Sequence, residues 1–151
     1  MKLKTEICDD LSEPEIIIRC SCITPEVRRL QRLLGDTKGC GIVFFKENEE
    51  FYLCADEILF FETQDGGIRA HTAEDSFEVK EKLFELEQIL PFQFIRVSKS
   101  AILNVDRVYS VEKSITSASL VKFVSTHKRI YISRSYYKDF KKRILERRAV
   151  K

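Results

Sequence analysis

Apolar positions along the chain alternate with polar ones over many short stretches, which is the pattern of half-buried β-strands. Strands are predicted at 42–47, 51–54, 58–63, 68–72, 75–80, 94–97, 101–103, 108–111, 120–124 and 129–132. Asp65-Gly66-Gly67 separates two of these stretches and favours a tight hairpin turn. Helical spacing predicts a short helix at 81–90 and a final helix at 133–147. The pattern therefore predicts a mainly β (α+β) fold that ends in a helix.

Residues 1–42 predict a small β-β-α extension ahead of this fold. Residues 2–8 alternate in polarity and residues 15–22 are rich in β-branched side chains, so both are expected to form strands. Thr24-Pro25 can begin a helix, because threonine caps well and proline suits the first helical position. Such a unit is too small to fold alone. We expect it to dock on the rest of the chain or to dimerise.

Charge is distributed unevenly, although the whole chain carries a net charge of only +2. Residues 46–90 have a net charge of −9, whereas residues 91–151 have a net charge of +11. A strongly basic region can bind a polyanion such as nucleic acid, because binding responds to the local field rather than to the total charge. The same division could instead reflect two solvated faces that attract each other. Charge alone therefore leaves nucleic-acid binding open.

The composition is that of a globular domain with a substantial core, with 44% hydrophobic and 33% charged residues. The chain shows neither an apolar run long enough to span a bilayer nor a secretory signal, so a cytoplasmic location is expected. The five cysteines lack the spacing of a zinc site, and we expect buried thiols rather than disulfides. His71 and His127 belong to no catalytic or metal-binding pattern. We therefore expect no enzyme activity, cofactor, metal or small-molecule substrate.

Two segments concentrate hydrogen-bond donors between apolar positions. Within 94–108, the residues Arg96, Ser98, Lys99 and Ser100 fall on a short loop between two predicted strands. Lysine and arginine contact phosphates and the acceptor edge of guanine, and serine hydroxyls contact either. Asn104, further along the segment, could instead turn or cap the loop internally.

The second segment, 129–138, leads a strand into the start of the final helix. Arg134, Ser135 and Lys138 lie there. A helix N-terminus offers free N–H groups and a partial positive charge, which favour phosphate. A serine at this position could also simply cap the helix.

The pattern Phe94-x-Arg96-x-Ser98-Lys99-Ser100-x-x-x-Asn104 resembles the signature of the LytTR family of DNA-binding domains, which reads roughly Phe-x-Arg-x-His-Arg-Ser-x-Leu-Val-Asn. The stretch 56–62 is similar to the family's Asp-Ile-x-Tyr-x-Glu strand, and 132–136 is similar to its closing Val-Ser-Arg element. The spacing agrees across all three motifs. The resemblance predicts a DNA-binding domain at 43–148.

The resemblance implies an elongated β-β-β sandwich of short strands with a C-terminal helix, in which loops enter successive major grooves of double-stranded DNA. The family's three base-reading positions fall here on the Gln64–Gly67 turn, on Lys99 with Ser98, and on Arg134 with Ser135. In the first of these, Gln64 or Arg69 is the long side chain available. The predicted DNA-binding residues are Arg96, Ser98, Lys99, Ser100, Arg134, Ser135 and Lys138.

These observations predict a sequence-specific transcription regulator that binds promoter repeats as a homodimer. Residues 1–42 are too few for the phosphorylatable receiver domain that precedes many family members. Regulation is therefore expected through dimerisation or through a partner protein, which could be membrane-bound. The alternative is a basic interaction module that binds RNA or an acidic protein.

Overall fold

The structure is a computed structural model, and it describes residues 5–7, 9–10, 12, 15–22, 24–34 and 41–150. Within these residues the helices are α1 (Pro25–Leu34), α2 (Leu83–Ile89) and α3 (Arg134–Val150). The strands are β1 (Phe44–Lys46), β2 (Glu49–Phe51), β3 (Phe60–Gln64), β4 (Gly67–His71), β5 (Ser76–Val79), β6 (Phe94–Ser98), β7 (Ala101–Asn104), β8 (Val108–Glu112), β9 (Ser119–Phe123) and β10 (Arg129–Ile132). None of the described helices is long and apolar enough to cross a bilayer.

Two antiparallel sheets form the body of the protein. The first has seven strands in the order β2-β1-β5-β4-β3-β7-β6, and the second has three in the order β10-β9-β8. The predicted hairpin between β3 and β4 is confirmed, because Gln64 pairs with Gly67 across a two-residue turn. Asp65 has φ +52° and Gly66 has φ +79°, which is the left-handed pair that such a turn requires. A mainly β fold with a C-terminal helix is thus confirmed.

Two hydrophobic clusters hold these elements together. In the first, Phe44, Phe61 and Phe77 pack on one face of the large sheet together with Leu86 of α2. The second cluster joins the two sheets to α3, and its buried side chains are Leu59, Phe60, Val97, Ala101, Leu103, Val105, Val108, Val121, Phe123, Ile130, Ile132 and Phe140. Phe140 is 1% exposed and so fixes α3 against the sheets. Burying a side chain of this size stabilises the folded state by about 1.5–3 kcal/mol.

The N-terminal extension departs from the sequence prediction. Its helix is confirmed as α1, and the Thr24 hydroxyl accepts a hydrogen bond from the Val27 backbone N–H at 3.3 Å. The two predicted strands are wrong in the residues that can be compared, because 5–7 and 15–22 have no strand conformation. The side chains of Ile16 and Ile17 are 65% and 64% exposed. β-Branched residues favour a strand only where a neighbouring strand and a packed face receive them.

The cysteine prediction also needs correction. Cys20, Cys22 and Cys54 are free thiols, as expected, but all three are exposed rather than buried. Cys20 and Cys22 lie in the segment that forms no strand, so no sheet face covers them. The other two cysteines, at positions 8 and 40, lie outside the described residues.

At one end of the sheets, the loop Thr72–Asp75 meets the turn Val124–Lys128, and we call this the anchor end. The Thr126 hydroxyl donates to the Ala73 carbonyl at 2.8 Å, and Lys128 Nζ donates to the Asp75 carbonyl at 2.6 Å. Asp75 Oδ2 also accepts from Lys46 Nζ at 2.5 Å. The hydrogen bond from Lys46 is the main reason that the pKa of Asp75 is lowered. The bonds of Thr126 and Lys128 tie the small sheet to the large one.

Candidate nucleic-acid interface

The predicted donor loop is the two-residue turn between β6 and β7. Ser98 pairs with Ala101, which leaves Lys99 and Ser100 at the tip, and both are exposed. The Ser98 hydroxyl accepts a hydrogen bond from the Ser100 backbone N–H at 3.1 Å and lies 3.3 Å from the Ser100 hydroxyl. Ser98 therefore shapes the turn from inside, whereas Lys99 extends from it.

Arg96 holds this turn in place. Its Nε donates to the Ser98 carbonyl at 2.6 Å, its Nη2 donates to the Lys99 carbonyl, and its Nη1 donates to Glu87 Oε2 at 2.9 Å. The register of β6 shifts between Arg96 and Ser98, so the strand bulges just before the turn. Sequence reasoning did not identify Glu87, which lies on α2 and follows no pattern that links it to Arg96.

The start of α3 lies beside this turn. The Ser133 backbone N–H donates to the Val97 carbonyl at 2.9 Å, which joins the helix start to the bulge in β6. Arg134 and Ser135, in the first turn of α3, are exposed, and Lys138 is exposed one turn further along. The free N–H groups at the start of this helix favour a phosphate.

The hairpin between β3 and β4 reaches the same end of the large sheet. The Thr63 backbone N–H donates to the Ser100 carbonyl at 2.9 Å, so the Gln64–Gly67 turn extends past the β6–β7 turn. Gln64 is exposed at this tip. Arg69 lies away from it, because its guanidinium contacts Glu78 at 3.4 Å and the Ser76 hydroxyl at 3.0 Å.

Three segments that are far apart in the sequence thus share one end of the molecule. We call them together the recognition end: Gln64–Gly67, Ser98–Ala101 and Ser133–Ser135. The exposed cations that sequence reasoning singled out, Lys99, Arg134 and Lys138, are all at this end or within one turn of it. The structure brings the predicted residues together, and it leaves Lys99, Arg134, Ser135 and Lys138 exposed to a ligand.

Part of the remaining C-terminal positive charge is used inside the protein. Arg143 Nη1 donates to the carbonyls of Phe92 and Phe94 at 2.7 and 3.1 Å, and its guanidinium lies 4.0 Å from the Phe92 ring centre. Arg147 makes two hydrogen bonds to Asp106, at 3.0 and 2.5 Å, and this pairing raises the pKa of Arg147. The net charge of the region therefore overstates the charge available to a polyanion.

Asn104, which the sequence left open, is a structural residue. It is fully buried, its Nδ2 donates to the Ile58 carbonyl at 3.0 Å, and its Oδ1 accepts from the Asp106 N–H at 3.0 Å. The second bond caps the short 3-10 turn Val105–Arg107. The internal role considered for Asn104 is therefore confirmed, and this side chain cannot reach a ligand.

Comparisons with known proteins agree with this geometry. The family described as the LytTr DNA-binding domain matches residues 48–145. An HTH-type transcriptional regulator of Staphylococcus aureus strain NCTC 8325 is 29% identical over 147 residues, which are 95% of this chain and 98% of that protein. A relative from strain MRSA252 is 28% identical over the same shares. The solved LytTr DNA-binding domain of a methyl-accepting/DNA response regulator from Bacillus cereus superposes with a TM-score of 0.62 at 25% identity, covering 68% of this chain and 95% of that one.

Proposed function

The chain belongs to the LytTR family of DNA-binding domains, and we propose that it is a regulator that recognises a specific sequence in double-stranded DNA. The family and fold are those of DNA-binding regulators rather than of enzymes. The observation that carries the proposal is the Ser133 N–H to Val97 carbonyl bond, together with the Thr63 N–H to Ser100 carbonyl bond. These two bonds align three donor-bearing segments in a row along one end. A row of this kind can follow successive grooves of a duplex.

Two hairpin turns and the start of α3, rather than a helix-turn-helix, carry the proposed recognition. The Staphylococcus relatives are named as HTH-type regulators, and a helix-turn-helix needs two helices joined by a turn of about three or four residues. In the described part of this chain, strands separate α2 from both α1 and α3 along the sequence. The available reading elements are therefore the two hairpin turns and the helix start at the recognition end. A major groove admits such a turn, because it is wide enough for a two-stranded ribbon.

We assign the residues of the recognition end to different roles. Lys99 at its exposed tip reads base edges, and so does the Arg134-Ser135 pair. Lys138 contacts phosphate one helical turn away. Ser98 and Ser100 shape the turn, although the Ser100 hydroxyl is exposed and can add a contact. Arg96 positions the turn, because its guanidinium already bonds two backbone carbonyls and Glu87.

The proposal also covers the location of the protein and its protein partners. We propose that the protein acts in the cytoplasm, where bacterial promoters lie, and binds repeated half-sites as a homodimer. α1 is held near α3 in the single chain, since Arg29 lies 3.7 Å from Glu146 and 5.4 Å from the Phe92 ring centre. This contact favours docking of the extension on its own chain. The 51%-exposed Leu34 of α1 remains available to a second copy or to a regulatory protein.

The test is a selection of bound duplexes from a random pool, followed by affinity measurements across a salt series. A sequence-specific regulator should prefer one sequence by about a thousandfold or more over random duplex and should lose affinity steeply as salt rises. Equal affinity for all duplexes would refute sequence-specific recognition. Weak duplex binding together with tight binding to RNA or to an acidic protein would instead support the basic interaction module.

Substitutions of two lysines in this region distinguish a base contact from a phosphate contact. Lys99→Ala should weaken binding to the selected duplex by about 1–3 kcal/mol and binding to random duplex much less, because a base contact carries the preference. Lys138→Ala should weaken both duplexes by a similar factor, because a phosphate contact is independent of sequence. Both affinities are measured by the same titration at one salt concentration. If Lys99→Ala lost affinity for both duplexes by the same factor, Lys99 would not be a base-reading residue.

A further inference from the structure

The loop Lys113–Ala118 between β8 and β9 also reaches the recognition end. Ser119 at the start of β9 pairs with Ile132 at the end of β10, so the loop and the start of α3 lie at the same end of the small sheet. Lys113 Nζ lies 5.2 Å from the ring centre of Tyr137, in the first turn of α3. The loop therefore flanks the Arg134-Ser135 pair on the side away from the β6–β7 turn. It extends the row of three segments to four.

Serine side chains give this loop a defined shape. The Ser114 N–H donates to the Ser119 hydroxyl at 3.2 Å, and the Ser117 N–H donates to the Ser114 hydroxyl at 3.1 Å. The hydroxyls of Ser114 and Ser117 lie 2.6 Å apart. Ser119 itself is 3% exposed, so the loop is bonded to a buried side chain at its base. A tip that is held in this way is ordered before it meets a partner, which lowers the entropic cost of binding.

Ile115 stands at the tip of the loop and is 87% exposed. Isolated apolar side chains are common on protein surfaces, so exposure alone carries no functional meaning. The setting of Ile115 is different because Lys113, Thr116 and Ser117 are exposed around it. Lys113 also contacts Tyr137, which lies in the same helical turn as the proposed DNA-reading residues Arg134 and Ser135. A cation and hydroxyls that surround one apolar side chain match a duplex, which presents phosphates around the methyl groups of thymine.

We propose that Lys113–Ala118 is a fourth DNA contact, in which Ile115 packs on a thymine methyl group and Lys113 and Thr116 approach the phosphates beside it. This inference rests on the proposed DNA-reading function and adds a base position to it. The thymine lies at the end of the half-site, beyond the bases read by Arg134 and Ser135, because the loop lies at the end of the row. The selected sequence should therefore include a thymine at that outer position.

The experiment uses the duplex selected by the unmodified protein and a set of versions in which each thymine in turn is replaced by deoxyuridine. Deoxyuridine pairs as thymine does but lacks the methyl group. The unmodified protein should lose about three- to tenfold in affinity at one outer position, a loss that fits an apolar base contact. Ile115→Ala should show the same loss on the normal duplex and no further loss on the deoxyuridine version. Tyr52→Ala is the control. Tyr52 is 75% exposed and follows β2, which is the edge strand of the large sheet opposite β6.

The outcomes separate this inference from the proposed function. If the unmodified protein prefers one sequence and Ile115→Ala binds it equally well, the fourth contact is wrong and sequence-specific binding stands. If Ile115→Ala weakens binding but no deoxyuridine position reproduces the loss, the thymine contact is wrong. If the unmodified protein shows no sequence preference, the proposed function fails, and this inference fails with it. An equal loss of affinity on Ile115→Ala and on replacement of one outer thymine supports both the proposed function and the fourth contact.

Discussion

The two ends of the sheets use polar side chains in opposite ways. At the anchor end, Lys46 bonds to the Asp75 carboxylate within the large sheet, and Lys128 bonds to the Asp75 carbonyl and so connects the two sheets. At the recognition end, Lys99 and Arg134 extend into solvent, and backbone hydrogen bonds hold the segments that carry them. The anchor end therefore uses its side chains for stability. The recognition end obtains its shape from backbone hydrogen bonds and from Arg96 and Ser98, and it leaves Lys99 and Arg134 for a ligand.

This difference explains how a small protein can keep several donors exposed without losing rigidity. The β3–β4 turn has the left-handed backbone conformation that two-residue hairpins favour. The β6–β7 turn is held instead by the Arg96 guanidinium and the Ser98 hydroxyl. The Thr63 N–H to Ser100 carbonyl bond fixes one turn relative to the other. Substitutions at the anchor end should therefore change stability, and substitutions at the recognition end should change DNA binding.

Asn104→Ala should have the largest effect, and it tests the stability side of this comparison. Asn104 ends β7 at the end opposite the β6–β7 turn, and its loss leaves the buried Ile58 carbonyl and the Asp106 N–H without their partner. We expect the free energy of unfolding to fall by about 2–4 kcal/mol, because unpaired buried polar groups are costly. For a chain of this size the Tm should fall by about 4–16 °C. Thermal and denaturant unfolding measure the change.

The control for Asn104→Ala is Lys99→Ala, which removes an exposed side chain at the other end and should leave the free energy of unfolding within about 0.5 kcal/mol. At a temperature where both variants are folded, Asn104→Ala should keep the preference for the selected duplex. An Asn104→Ala protein that stayed as stable as the unmodified protein yet lost that preference would contradict the division between the two ends.

Substitution of Arg96 should have the next largest effect. It tests whether this charged side chain acts by positioning the β6–β7 turn rather than by contacting DNA. Arg96→Gln removes the bonds to the carbonyls of Ser98 and Lys99 that fix the turn. We expect about a tenfold loss of affinity for the selected duplex, equivalent to about 1.4 kcal/mol, because a displaced contact loses much of its value. Random duplex, which is bound mainly through phosphates, should be affected less. Titration of both duplexes measures the difference.

Glu87→Gln shows whether Arg96 positions the turn or contacts DNA directly, because the two roles predict opposite changes in DNA affinity. If Arg96 only positions the turn, weakening its bond to Glu87 should loosen the turn and lower affinity for the selected duplex. If Arg96 itself contacts DNA, removing a nearby negative charge should raise affinity for both duplexes. A rise in affinity for both duplexes would therefore show that Arg96 contacts DNA.

Some features were predictable from sequence because they depend on local rules. The Asp65-Gly66-Gly67 turn follows from backbone conformations that few residues adopt, and α1 follows from the capping chemistry of Thr24. The alternating strands around the three motifs follow from the requirement to bury one face. These rules fixed the segments of the candidate site but gave no information on how the segments are arranged in space.

Other features depend on distant partners, and sequence reasoning missed them. The segment 15–22 has strand propensity but pairs with no strand in the described part of the chain, and Ile16, Ile17, Cys20 and Cys22 are exposed. Arg96 and Arg134 are both cations in donor-rich motifs, yet only the structure shows that Arg96 bonds to the carbonyls of the turn and to Glu87. The loop Lys113–Ala118 carries no family motif, and only strand pairing places it beside α3.

His71 offers the smallest effect and the most direct test of the anchor end. Its ring stacks on Phe60 at 4.4 Å between ring centres, and its Nε2 lies 2.9 Å from Glu62 Oε1 without forming a well-aligned hydrogen bond. Burial, and then the charges of Lys128 and Arg69, lower the pKa of His71 to about 4. The histidine is therefore neutral in the folded protein at neutral pH. Burial also raises the pKa of Glu62, against the effect of Lys128.

Because the folded pKa of His71 lies below its ordinary value of about 6.5, the unfolded chain binds a proton more readily. The stability that neutral His71 allows is complete above about pH 6.5 and is lost progressively as the pH falls towards its folded pKa. We expect the free energy of unfolding to drop by about 1 kcal/mol between about pH 7.5 and pH 6, a range above the titration of most carboxylates. His71→Gln should remove this slope, whereas His127→Gln, at an exposed position, should retain it. Denaturant unfolding at several pH values measures both slopes, and an unchanged slope in His71→Gln would show that this end does not depend on a neutral histidine.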